Sequence, residues 1–171
     1  METLFKLLSD AQASLFVLFH KTWVYHWNVV GQDFQQLHTL FGGQYETMFE
    51  EIDRLSEHMR YLNVKPLSSL KRILEVSEVK EASSSVDAER MISDLLKSNK
   101  DLCEMLTKVS EEAESQKSYA TANLAQDLME SHGKFVWMLR SFSDKPTKKV
   151  QEELETTEET EVETTEETTE D

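Results

Sequence analysis

The chain has 171 residues with 18 Lys and Arg, 33 Asp and Glu, a formal charge of −15, four glycines, two prolines and one cysteine. This length suggests one domain with a substantial core, and so few Gly and Pro among many Leu, Glu, Lys, Met and Ala read as mostly helical. The lone Cys103 excludes an internal disulfide and suits a reducing compartment. The opening METLFKLLSDAQ resembles neither a signal nor a transit sequence, and no apolar run approaches the about 20 residues needed to span a bilayer. The expectation is a soluble, cytoplasmic protein with no membrane association.

In chain order, Leu4, Leu8, Ala11, Leu15, Leu18, Thr22 and Tyr25 step by three and four, predicting an amphipathic helix over 3–29. A short turn at Gly31-Gln32-Asp33 leads to a second helix over 34–62, with Leu37, Phe41, Gln44, Met48, Ile52, Leu55 and Met59 on its buried face. A connection that short makes the two helices antiparallel neighbours. Residues 63–86 are a long crossover in which Pro66 is expected to end the second helix and LSSLKRILEV to form a small one. Ser85 or Asp87 is placed to cap a third long helix with a stripe from Ala88 to Ala113. A fourth carries Ala122, Ala125, Met129, His132, Phe135 or Val136, Leu139 and Phe142. Two hairpins joined by one long crossover describe an all-α, ferritin-like four-helix bundle over 1–144, with a short helix between helices 2 and 3.

After Pro146 the composition changes. Residues 152–171 hold eleven acids and no base, so −15 less the tail's −11 leaves −4 on everything before it. With hardly any apolar side chain and strong self-repulsion, 145–171 is predicted to be a disordered Glu/Thr-rich tail.

The chemistry concentrates between Tyr25 and Met59. His26 and His38 flank the first turn, and Asp53 and Glu57 lie four residues apart, on one helix face. Imidazole nitrogen with carboxylate oxygen suits Fe, Zn or Mn better than Ca or Mg. On a continuous helix His38 and Asp53 are separated by roughly 22 Å, too far for one coordination sphere. Two antiparallel copies of the helix could close that gap, each offering its histidines to the other's carboxylates. A two-fold dimer would then hold two shared sites.

The same stretch resembles the Dps mini-ferritins. HWN at 26–28, Gly31, and His38, Asp53 and Glu57 at intervals of twelve, twenty-seven and thirty-one residues from His26 match that family's motif, and TANLAQDLMESHGKFVWMLRSF at 121–142 is similar to its last bundle helix. The resemblance covers about 3–143. It implies ferroxidase activity at sites between subunits, with His26, His38, Asp53 and Glu57 as catalytic metal ligands, Fe as the metal, and hydrogen peroxide or oxygen as oxidant. It also implies a dodecameric shell, built from two-fold dimers, that stores ferric mineral and limits oxidative damage. The family usually carries an acid four positions after the second histidine; here Gly42 stands there, followed by Gly43. Glu46 or a water is the expected substitute.

Other residues receive plainer readings. His20, His58 and His132 are left outside the site, His132 as a hydrogen-bonded core histidine. Trp27 is read as a packing residue, and Cys103 as a small buried hydrophobe. Asp127 and Glu130 either line an iron entry pore, as acids on that helix do in the family, or form a solvated face. DNA affinity rests on Lys and Arg neutralising phosphates. Lys145, Lys148 and Lys149 face eleven tail acids, so DNA binding is expected to be weak or absent. Two alternatives to the ferroxidase reading remain: a DNA-compacting protein with weakened iron chemistry, and a divalent-metal-binding scaffold for the tail.

Overall fold

The computed structural model describes residues 1–83 and 85–143, which form five helices and, among the described residues, no strand. These are α1 Glu2–Asn28, α2 Phe34–Tyr61, α3 Leu70–Val76, α4 Ala88–Ser115 and α5 Tyr119–Ser143. The architecture is the expected one: α1 pairs with α2, α4 with α5, α1 with α4 closes the bundle, and α3 packs on α1 from the crossover. The predicted tail over 145–171 lies outside the described residues.

Helix periodicity places the core. Leu4, Leu8, Ala11, Leu15, Leu18, Thr22 and Tyr25 of α1 are all buried, as are Leu95, Asn99, Leu102, Leu106, Val109 and Ala113 of α4. On α2 the stripe shifts: Glu51 is buried, whereas Ile52 is half-buried and lines an outer groove. Steps of three and of four from Met48 both stay near one face, and the three-residue step happens to point inward. On α5 Leu128 is buried, Met129 is only half-buried and Phe142 is exposed.

Pro66 does not end α2. The helix stops at Tyr61, five residues earlier, and just beyond it Asn63 takes the left-handed conformation at φ 62 while the Asn63 and Val64 amides donate to the carbonyls of Arg60 and Met59. That is a Schellman cap with asparagine in the left-handed position. Lys117 at φ 59 ends α4 in the same way, its amide and that of Ser118 donating to Glu114 and Ala113. At the other termini, Asp87 caps α4 by accepting from the Arg90 amide at 2.8 Å, and Ser69 caps α3.

Side chains of α1 anchor the crossover. Gln12 accepts from the Leu67 amide and donates to Ser56, Ser14 accepts from the Glu78 amide, and the Tyr25 hydroxyl accepts from the Ser83 amide. Ile73 and Val79 are buried beside them. Lys21, 1% exposed, donates to Asp94 and Ser98 at 3.0 Å each, while Tyr25 donates to the same carboxylate at 2.6 Å. A buried ammonium needs such partners, and these tie α1 to α4 at a fixed height.

Candidate metal centre

The turn at 29–33 sets the geometry. Gly31 takes φ +112, a conformation that L side chains rarely adopt, and it folds the end of α1 against the start of α2. This brings the rings of His26 and His38 into a stack, with centroids 3.7 Å apart and planes at 21°. Each ring also binds the other residue's backbone: His26 Nδ1 lies 2.7 Å from the His38 carbonyl, and His38 Nδ1 lies 2.9 Å from the His26 carbonyl. A carbonyl only accepts, so each Nδ1 must carry a hydrogen and donate it. Each neutral ring therefore keeps its lone pair on Nε2, the arrangement that fixes a metal-ligating imidazole.

Gly42 forms the floor beneath this pair. A Cβ there would sit 3.3 Å from His26 Cε1 and 3.4 Å from His26 Nδ1, whereas a Cβ at Gly43 would meet nothing within 4 Å. Phe34 stands 5.1 Å from His38, and Tyr45 meets His26 edge-on at 5.2 Å.

Asp53 and Glu57 lie further along α2, both exposed on its outer side. Asp53 borders an apolar groove of about 700 Å³ between α1 and α2, walled by Phe16, Phe19, Trp23, Tyr45 and Phe49. Glu46 and Glu50 border the same groove. Glu57 borders a shallower hollow with His58, Tyr61 and Asn123. Arg54, between the two acids, ion-pairs with Asp127 of α5. Among the described residues no three His, Cys, Asp or Glu side chains of one protomer converge on a common point. One subunit thus carries an imidazole pair where α1 meets α2 and two exposed carboxylates on the outer face of α2.

The residues set aside behave in several ways. His20 is exposed. His58 shares a hydrogen bond of 2.8 Å with Thr121, and burial, with a smaller contribution from Arg54, holds it below the ordinary histidine pKa. His132 is fully buried, with Nδ1 2.6 Å from Asn99 Oδ1 and Nε2 3.1 Å from Glu51 Oε2, too bent for a hydrogen bond to the carboxylate. Trp27 is 55% exposed, with its ring 4.6 Å from that of Trp23, so within one subunit it is not a core residue. Cys103 is half-buried, not fully buried. Sequence reasoning missed the Gly42–His26 contact and the reciprocal imidazole–carbonyl bonds; the twelve-residue interval across a turn was the signal for the second.

Comparison with known proteins supports the fold. The Ferritin family, described as the ferritin-like domain, matches residues 5–149. An uncharacterized low temperature-induced protein of Nostoc sp. is 35% identical over 138 residues, covering 80% of this chain and 77% of that protein. DNA protection during starvation protein 2 of Bacillus anthracis is 31% identical, covering 80% and 94%. Among solved structures, the Dps protein of Vibrio cholerae O1, described as a member of a broad superfamily of ferritin-like diiron-carboxylate proteins, superposes with a TM-score of 0.80 at 27% identity, covering 84% of this chain and 90% of that one.

Proposed function

This chain belongs to the Dps family of mini-ferritins, and on that footing we propose that it is a ferroxidase and iron store whose catalytic sites are shared between two subunits. His26 and His38 of one subunit and Asp53 and Glu57 of its mate bind Fe²⁺ as substrate. Hydrogen peroxide oxidises it, and the ferric product collects as mineral inside a hollow dodecamer built from two-fold dimers. The reading rests on one observation above all: both imidazoles have Nδ1 committed to a carbonyl and Nε2 left as donor, while the carboxylates lie on the outer face of the same helix.

The chemistry follows from the donors. Two neutral imidazoles suit Fe²⁺, and two carboxylates favour the more highly charged Fe³⁺. Each Fe²⁺ gives up one electron. Peroxide takes two electrons and two protons as its O–O bond breaks, so two Fe²⁺ and one H₂O₂ yield two Fe³⁺ and two waters. That stoichiometry releases no hydroxyl radical, and removing iron and peroxide together would protect DNA without touching it. The groove between α1 and α2, lined with aromatic side chains and bordered by Asp53, is where the second subunit is expected to pack.

DNA binding itself has no support in the charge distribution. Eleven acids within residues 152–171 oppose approach to phosphate, and the rest of the chain is also net acidic. A gel shift at low salt should give no stable complex. No helix among the described residues is long and apolar enough to cross a membrane.

The deciding experiment adds peroxide to anaerobic Fe²⁺-loaded protein and follows growth of ferric absorbance. Wild type should oxidise iron rapidly, whereas His38→Ala and Asp53→Ala should each lose most of the rate. Undiminished rates in both variants would remove the site from the reaction.

A further inference from the structure

Peroxide takes two electrons, each Fe²⁺ gives one, and ions reach a site one at a time. Peroxide that meets a lone Fe²⁺ splits into hydroxide and a hydroxyl radical unless a second electron is close at hand. The chain has four tyrosines and three tryptophans, the side chains best able to lend one. Among the described residues, Tyr45 is the one whose ring lies against the histidine pair. It meets His26 edge-on, with centroids 5.2 Å apart and planes at 72°. Phe34, which lies against His38, carries no phenol to oxidise. Tyr25 commits its hydroxyl to Asp94, Tyr61 lies against His58 instead, and Tyr119 is exposed at the far end of the bundle.

The α2 sequence explains this placement. Residues three apart share a helix face, so Tyr45 stands one turn beyond Gly42 on the same side. Gly42 has no side chain, and the His26 ring settles within 3.3 Å of where its Cβ would be, beside Tyr45. Trp23, at 5.9 Å, and Phe19, at 6.3 Å, back the Tyr45 ring from α1. All these separations are those of packed aromatic rings, so electron transfer from Tyr45 towards His26 needs no further carrier. Tyr45 is half-buried and borders the groove whose rim holds Glu46 and Glu50, so its phenol can exchange a proton with its surroundings.

We propose that Tyr45 is an electron store for the iron site, supplying the second electron when peroxide meets a lone Fe²⁺ at His26. The inference rests on the ferroxidase reading above and deepens it. In the first step Fe²⁺ and Tyr45 each give one electron as the O–O bond breaks. The phenol proton goes to one of the two oxygens, and the products are Fe³⁺, hydroxide, water and a tyrosyl radical. The next Fe²⁺ gives its electron to that radical, which takes a proton from solvent and returns to phenol. With the hydroxide neutralised, the sum is two Fe²⁺, one H₂O₂ and two protons giving two Fe³⁺ and two waters. The overall stoichiometry is unchanged, and neither step releases a hydroxyl radical.

Freeze-quenched electron paramagnetic resonance tests this on the intact assembly, loaded anaerobically with less than one Fe²⁺ per chain and then mixed with peroxide. Wild type should give a radical signal that narrows when the protein is made with ring-deuterated tyrosine and that further Fe²⁺ removes. Tyr45→Phe keeps the ring and its packing; it should lose the signal and release severalfold more spin-trapped hydroxyl radical. Trp27→Phe, a change outside the His26 contact, should keep the signal. A radical that tyrosine deuteration leaves unchanged, a tyrosyl signal that survives in Tyr45→Phe, or no rise in trapped hydroxyl radical in that variant would each overturn the proposal. Ferric absorbance from the same samples separates the two levels of the argument. Iron oxidised by peroxide in wild type without a tyrosyl signal defeats the role of Tyr45 alone. Failure of wild type to oxidise iron, or undiminished oxidation in both His38→Ala and Asp53→Ala, defeats the ferroxidase site and Tyr45 with it.

Discussion

In the interior of the bundle, His132 of α5 faces Glu51 of α2 at 3.1 Å, with its other ring nitrogen bonded to Asn99 of α4 at 2.6 Å. Asn99 Nδ2 is already committed to the Leu95 carbonyl, so its oxygen receives the His132 Nδ1 hydrogen and orients the ring. Three helices are thereby keyed together through one polar contact set in an otherwise apolar layer. Replacing His132 with Leu should take the hydrogen-bond donor from Asn99 Oδ1 and set the Glu51 carboxylate against an apolar side chain, destabilising the fold by about 1–3 kcal/mol. Replacing both Glu51 and His132 with Leu should recover part of that loss, because the carboxylate no longer faces an apolar side chain while Asn99 Oδ1 still lacks its donor. Thermal denaturation of the two variants checks it; a double variant no more stable than His132→Leu would contradict the argument.

A shared site makes a sharper prediction than loss of rate in single variants. In a dimer that pairs a His38→Ala subunit with an Asp53→Ala subunit, one site loses both contributions and the other keeps all of them. Random pairing makes half the dimers mixed, so about one quarter of wild-type sites should reappear when the two inactive variants are co-assembled. Iron oxidation by co-expressed variants measures this directly. A mixture as inactive as its parents would place all four residues of each site within one subunit.

The glycines of the long helices should divide by what surrounds them. Gly133 on α5 has open space where a Cβ would stand, so Gly133→Ala should stabilise the protein by about 1 kcal/mol through helix propensity alone. Gly42→Ala gains the same propensity but presses on His26, whose ring is held by the His38 carbonyl and by the stack. Its expected result is a smaller stability gain with slower iron oxidation. Melting midpoints and peroxide-driven rates measured on both variants provide the check; equal rates would mean that the ring yields freely.

Most of the bundle was legible because its stripes repeat every three or four residues over long helices, a signal that local detail barely disturbs. Where reading failed, the competing feature was short-range. Pro66 drew attention as a helix breaker, while Asn63 had already ended α2 by adopting the left-handed conformation. Ile52 fits the apolar stripe, yet Glu51 takes the buried position, facing His132 of α5 across a separation of eighty-one residues that no local pattern reveals. The separation of His38 from Asp53 needed only the helix rise. The reciprocal bonds between the histidines depend on how the Gly31 turn closes, which spacing suggests without specifying.

Cys103 gives a last, independent check on packing. Its thiol is half-buried between α4 and α5, with Sγ 3.9 Å from the Met129 carbonyl. Burial first, and then the neighbouring Glu104 charge, push its pKa above the ordinary thiol value. The thiolate is the reactive form, so at pH 8 the native protein should be alkylated by iodoacetamide at least about tenfold more slowly than the denatured chain. Because the shift is upward, the native rate should keep climbing through pH values at which the denatured thiol has already levelled off. Glu104→Gln should quicken it modestly by removing the smaller of the two causes. Equal rates for native and denatured protein at pH 8 would show that α4 and α5 do not shield this position.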